Sequence, residues 1–153
     1  MKLIGYVRWT YAIAAWLLVA AIVVQFFLAG MGVFAPAEVG GFSLHVQFGR
    51  SVLFLMFPIL VVLSFAARLP WRTTGLAAVL LGLRVLQSLL LGFYYIGGPA
   101  LRPLASLHVI NASLILLLAL RVADRARELV LPVQRTVAVG GDTDRGASSS
   151  ARV

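Results

Sequence analysis

SLHVQFGRSVLFLMFPILVVLSFAA, residues 43–67, decides the fold. It carries one cation, Arg50, and no acid. About 20 mostly apolar residues are what a helix needs to cross the hydrocarbon layer of a membrane. Three similar runs accompany it, from about Trp9 to Ala29, Thr74 to Ile96 and Leu104 to Ala123. The connections have the chemistry of chain reversals. Met31 to Phe42 is read as a loop rich in Gly, Ala and Pro, Arg68-Leu69-Pro70-Trp71-Arg72 as a short basic turn, and Gly97-Gly98-Pro99 as a break. The fourth run extends as an amphipathic helix to Leu131, where Pro132 stops it. From Val133 the chain turns to Gly, Ser, Asp and Arg, a composition that cannot bury a core. The expectation is an all-α, four-transmembrane-helix bundle over residues 1–131, followed by a disordered tail, 132–153.

Composition agrees. The 153 residues are 61% hydrophobic, against roughly 45–50% for a soluble domain, and the mean hydropathy is +1.00. The net charge of +8 has a nucleic-acid binder's sign. Its distribution points elsewhere, because the cations flank apolar runs as topology determinants do, with no basic helix or aromatic platform. Cysteine is absent, which excludes disulfides, iron–sulfur clusters, thiolate zinc sites and covalently attached haem. A non-covalent cofactor on nitrogen or oxygen ligands stays open.

Lys2 and Arg8 precede the first run, Arg68 and Arg72 fill the second loop, and Arg121, Arg125, Arg127 and Arg135 follow the fourth. The first loop has no cation and the third only Arg102. By the positive-inside rule both termini and the second loop are cytoplasmic. Trp9, Tyr11, Trp71, Tyr94 and Tyr95 fall near span ends, where aromatic rings favour the interface. Lys2, the apolar stretch after it and Ala35-Pro36-Ala37 resemble a signal peptide, but the stretch is too long for one, and a retained helix is expected.

His45 and His108 are the two histidines of the chain. The second and fourth runs cross in the same direction, with His45 two residues inside one and His108 four inside the other. At 1.5 Å rise per residue the two rings differ in depth by about 3 Å. Paired imidazoles at one level suit the two axial positions of a haem iron, a low-spin site fitted to electron transfer. Gly49 and Ala112 each follow a histidine by four residues on the same helix face and leave room for a flat ligand. Asn111 can orient an imidazole or bind a propionate. The plainer reading is that each histidine is interfacial or hydrogen-bonds between helices. A two-histidine zinc site would want further ligands, and no Asp or Glu lies within a span.

Arg50 and Arg84 fall well inside the apolar runs, where a charge costs roughly 2.5–3.5 kcal/mol on insertion scales. No acid of this chain lies at their depth. Their anion must come from a ligand, a lipid or another subunit, or they snorkel or bond to carbonyls. One free carbonyl is expected at Phe54, since Pro58 has no N–H to donate. Arg50 lies about 140° around the helix from His45, and Gln87 shares a face with Arg84. With Gln25, Gln47 and Asn111 these groups put the polarity in the outer half, which argues for a pocket opening outward and against a transport path.

Phe42-Ser43-Leu44-His45 and Leu107-His108-Val109-Ile110-Asn111-Ala112 resemble an uncharacterised family of short four-helix bacterial membrane proteins, over about residues 8–125. The resemblance implies a fold and no activity. More distantly, the layout is similar to one half of haem A synthase, a four-helix unit with histidines on its second and fourth helices at a separation similar to the 63 residues here. That likeness implies a b-type haem on His45 and His108. The synthase's catalytic glutamate has no counterpart, the nearby positions being Phe42 and Gly41, and its outer-loop cysteine pair is missing, so haem hydroxylation is not carried over.

The sequence therefore reads as a multi-pass protein of the bacterial inner membrane. One haem b would be held near the outer face by His45 and His108 as metal ligands, with Gly49, Ala112, Asn111, Arg84 and Arg50 around it. The expected role is electron transfer or haem handling, with no catalytic residue and no enzyme activity of its own assigned. The partners implied are the lipid bilayer, a quinol or a redox protein, and further subunits of this or another chain. The alternatives are a cofactor-free accessory subunit of a membrane complex and a small transporter.

Overall fold

The computed structural model describes residues 2–36 and 40–131, and among these the chain is helical throughout, without strands. Four long helices follow one another: α1 (Lys2–Phe34), α2 (Ser43–Ala66), α3 (Trp71–Ile96) and α4 (Arg102–Val130). A 3-10 turn, Gly98–Leu101, leads into α4. All four are long and apolar enough to cross a membrane, and the chain is a multi-pass membrane protein. Even α2, at 24 residues, spans about 36 Å against a hydrocarbon thickness of roughly 30 Å.

The helix ends follow local chemistry. α1 runs further than the loop reading of Met31 to Phe42 allowed. The apolar run Met31-Gly32-Val33-Phe34 stays helical until Pro36 disfavours the helical region at Ala35. There the start of α2 crosses α1 backbone to backbone. A Cβ on Gly41 would sit 2.6 Å from the Gly32 carbonyl oxygen, so only glycine fits. At its other end α4 stops at Val130, with Leu131 N–H closing on the Arg127 carbonyl at 2.8 Å. The tail from residue 132, expected to be disordered, lies outside the described residues, as does Glu38.

The turn between α2 and α3 is a Schellman cap. Arg68 N–H bonds the Phe65 carbonyl (2.9 Å) and Leu69 N–H the Ser64 carbonyl (3.1 Å), and Arg68 takes a φ of 49°. Side-chain residues pay an energetic penalty in that left-handed region and glycine does not. Arg68→Gly is therefore expected to stabilise the folded bundle by about 0.5–1 kcal/mol, read as a higher melting temperature in detergent. Arg8 of α1 donates from Nε to the Ala67 carbonyl (3.4 Å), placing a cation on the C-terminal end of α2, where the helix dipole favours it.

The helices form a ring in which α1 touches α2 and α4, and α3 touches α2 and α4. The diagonal pairs, α1 with α3 and α2 with α4, do not pack together. In lipid, close helix contact depends on small side chains rather than on the hydrophobic effect. The α1–α4 pair supplies them: Ala12, Ala15, Ala119, Ala123 and Ala126 are all buried. Around them the half of the bundle that holds the termini is filled by Leu18, Phe57, Leu60, Leu80 and Val122. Tyr11, expected at the interface, is fully buried instead, on the face of α1 that also carries Ala15, Leu18 and Ile22. The outward faces carry large apolar residues such as Leu17, Phe27, Val62, Leu89 and Leu117, each more than half exposed, as a lipid-facing surface requires.

Candidate functional site

The half of the bundle away from the termini is packed differently. A cavity of about 400 Å³ lies between all four helices there, inside the roughly 300–1,000 Å³ range of ligand pockets. It occupies the gap between the diagonal helices α2 and α4, which bring one histidine each to its wall, His45 and His108.

Each histidine is tied to a glutamine on the preceding helix by the same reciprocal pair of bonds. The Gln25 side-chain amide donates to the His45 backbone carbonyl (3.0 Å), and His45 Nδ1 donates to the Gln25 backbone carbonyl (3.1 Å). The Gln87 amide donates to the His108 carbonyl (3.0 Å), and His108 Nδ1 to the Gln87 carbonyl (3.4 Å). Gln25 and Gln87 are 62 residues apart, and His45 and His108 are 63 apart. The α1–α2 and α3–α4 hairpins thus repeat one motif about an approximate twofold axis along the bundle, with the cavity on that axis.

The bonds settle the imidazole tautomers. A carbonyl only accepts, so Nδ1 carries the proton in both rings and Nε2 is left with a lone pair. Nδ1 donating to a main-chain carbonyl is the outer-sphere arrangement that orients a metal-binding imidazole and raises its basicity. The two sites differ in one respect. His45 Nε2 lies 3.2 Å from the Gln25 side-chain nitrogen, which donates to it, and among the described residues no such donor meets His108 Nε2. Phe42 stands edge-on to the His45 ring, centroids 6.2 Å apart at 83°.

Asn111 explains a second difference. It is buried, does not line the cavity, and donates from Nδ2 to the Gln87 side-chain oxygen and to the Leu83 carbonyl (2.9 Å). It therefore orients Gln87, which in turn holds His108. The matching position beside His45 is Phe48, which has no such donor, and the Gln25 Oε1 atom is buried without a partner. Asn111→Ala would leave Gln87 Oε1 equally orphaned. We expect a loss of about 1–3 kcal/mol in stability, seen as a lower melting temperature of the detergent-solubilised protein.

Of the residues singled out in the sequence, His45, His108, Gly49, Ala112, Arg84 and Arg50 all line the cavity. Gly49 opens a π-helical turn, Gly49–Leu53, of the kind frequent at functional sites. It is wedged between neighbours: a Cβ there would lie 3.0 Å from Gln25 Nε2, and Arg84 Nη2 reaches its carbonyl at 3.2 Å. Arg84 thus bonds a carbonyl of α2, but at Gly49, one turn from His45, rather than at Phe54. Its Nη1 donates to Ser88 Oγ (2.6 Å). Arg50 lies at the exposed rim, shared with a shallower hollow that also includes Gln47, and meets no acceptor among the described residues. The apolar walls, Ile22, Phe26, Leu53, Phe57 and Leu91, carry no signal in the sequence. The glutamine partners do carry one, the recurrence of a Gln–His spacing.

Among the described residues no three His, Cys, Asp or Glu side chains come together to hold a metal ion. Two imidazoles alone are too few for a bare cation. They are enough for a metal that brings an equatorial ligand of its own, as haem iron does. No curated protein and no solved structure matches the chain, so the likeness to haem A synthase finds no counterpart there. Over residues 25–94, a stretch that begins at Gln25 and includes His45, Arg84 and Gln87, the chain is similar to a family of unknown function (DUF6220).

Proposed function

We propose that this protein holds one b-type haem in the cavity between α2 and α4, with His45 and His108 on its two faces, and serves electron transfer or haem handling. A haem iron held by two imidazoles supplies one-electron chemistry and no open position for oxygen. The observation that carries the reading is the twin Gln–His pair: two imidazoles on the walls of one cavity, both fixed in the tautomer that leaves the lone pair on Nε2, with the lone pair of His45 shared with the Gln25 amide. Gln25 and Gln87 orient the rings, Asn111 steadies Gln87, and Gly49 and Ala112 keep the walls flat. The location we propose is the bacterial inner membrane, with the termini cytoplasmic and the cavity toward the outer leaflet; the flanking arginines support this orientation. A single haem there does not reach across roughly 30 Å of hydrocarbon. A quinol or a second redox protein completes the path.

The test is an absorption spectrum of the detergent-purified protein, oxidised and then reduced with dithionite. The expected result is a sharp low-spin b-type signal near one haem per chain. A colourless protein that also fails to take up added haem would overturn the proposal. It would favour a second reading, a cofactor-free subunit of a membrane complex in which the Gln–His pairs only lock helices together. The bond from the Gln25 amide to His45 Nε2 speaks for that reading, since a ligand must displace it.

A further inference from the structure

Two guanidinium groups face this cavity, and no carboxylate among the described residues pairs with either. Arg84 comes from α3 and reaches across to the Gly49 carbonyl of α2, at 3.2 Å. Arg50 is the next residue of α2. The two charges therefore converge on one side of the cavity, at the α2–α3 wall. The described acids, Asp124 and Glu128, lie in the last turns of α4 at the opposite end of the bundle. Arg84 spends one N–H on Gly49 and one on Ser88 Oγ, and a guanidinium has five. Its remaining donors and all those of Arg50 meet no acceptor among the described residues. Much of the remaining cavity wall is apolar: Ile22, Phe26, Leu53, Phe57, Leu91 and Ile115.

From this placement we infer that Arg84 and Arg50 form an anion-binding end of the cavity, which takes the carboxylates of an otherwise apolar, planar ligand. This rests on the haem reading and deepens it: the imidazoles would hold the metal, and the arginines would select a macrocycle with free acid groups. Arginine suits the role because its planar fork of N–H donors matches a carboxylate in two-point geometry. The repeat gives independent weight. The position in α1 that corresponds to Arg84 is Ile22, and that in α4 corresponding to Arg50 is Ser113, so the twofold motif is broken by charge on the α2–α3 side alone. An asymmetric charge pair in a symmetric cage fixes one orientation of a ligand whose acid groups lie on one edge.

The test separates carboxylate recognition from metal ligation by using metal-free protoporphyrin IX and its dimethyl ester, titrated against the purified full chain and followed by porphyrin fluorescence. Wild type is expected to bind the free acid at least about tenfold more tightly than the ester, the scale of one hydrogen-bonded charge pair. Arg50→Gln, which loses no hydrogen bond among the described residues, should reduce that preference. Arg84→Gln should reduce it further, with Arg84→Lys in between. Equal binding of acid and ester by wild type, or an undiminished preference in both glutamine variants, would overturn the anion-binding end while leaving the haem reading to its own spectrum. If the acid is preferred and the arginines matter, yet the protein takes up no iron porphyrin, the haem reading fails and the anion-binding end stands. Binding of neither the metal-free porphyrins nor the iron porphyrin defeats both.

Discussion

His108→Ala and His45→Ala are each expected to abolish the low-spin haem spectrum. The two rings stand on helices that do not touch, so neither can replace the other from its own side of the cavity. Loss of an outer-shell partner typically costs about 10–100-fold in metal affinity, and loss of the ligand itself should exceed that. Any haem retained by a single-histidine variant should be five-coordinate and high-spin, a change visible in the oxidised spectrum. The double variant should purify colourless. His45 is the more informative of the two. Its Nε2 already accepts from the Gln25 amide at 3.2 Å, so ligation there requires that amide to turn away. Gln25→Leu removes the competitor together with the bond to the His45 carbonyl. A cavity that binds haem should respond with altered affinity and an unshifted spectrum, whereas a helix lock should respond with lost stability alone. Full haem content in both alanine variants would refute bis-histidine ligation.

Much of the architecture was legible because membrane spans are written in plain hydropathy. The four runs, the basic second turn and the stop before Pro132 correspond to α1–α4, the Arg68 cap and the end at Val130. What misled was local. Gly, Ala and Pro near Met31 read as a loop, but one proline ends a helix and isolated glycines do not, so α1 continues to Phe34. Tyr11 near a span end read as interfacial, but its helical phase with Ala15, Leu18 and Ile22 decides its burial.

At the site, helical spacing alone placed Gly49 and Ala112 beside the histidines, because residues four apart share a face. Spacing did not indicate that the glutamines hold the rings. That depends on which helices are neighbours, and the spacing of residues along one helix does not specify the pairing of α1 with α2 and α3 with α4. The repeat of glutamine and histidine at 62 and 63 residues was present in the sequence and is the signal that would have revealed it. Arg84 finding Gly49 rather than Phe54 depends on the π-helical turn between them, which has no signature in the residues themselves.

Gly49→Leu is expected to empty the cavity of ligand while the bundle still forms. Gly49 sits where three demands meet. Its missing side chain lets the Gln25 amide reach the His45 carbonyl, its carbonyl receives Arg84, and its face lines the cavity one turn from His45. A Cβ would lie 3.0 Å from Gln25 Nε2, tight enough to push that amide off its bonds. The rest of a leucine side chain would extend into the space a planar ligand needs. Overpacking of this kind typically costs about 1–3 kcal/mol, a factor of about 5–150 in affinity. Against it stands a gain of up to about 1 kcal/mol from replacing glycine within a helix, so folding should suffer less than binding. Gly49→Ala separates the two effects: it presses on Gln25 but fills almost none of the cavity. Haem titration and thermal melting of both variants provide the check. Strong loss of affinity in the leucine variant, mild loss in the alanine variant and near-native melting in both would place the ligand against this wall. Undiminished haem uptake by Gly49→Leu would mean that the cavity between α2 and α4 is not where the ligand sits.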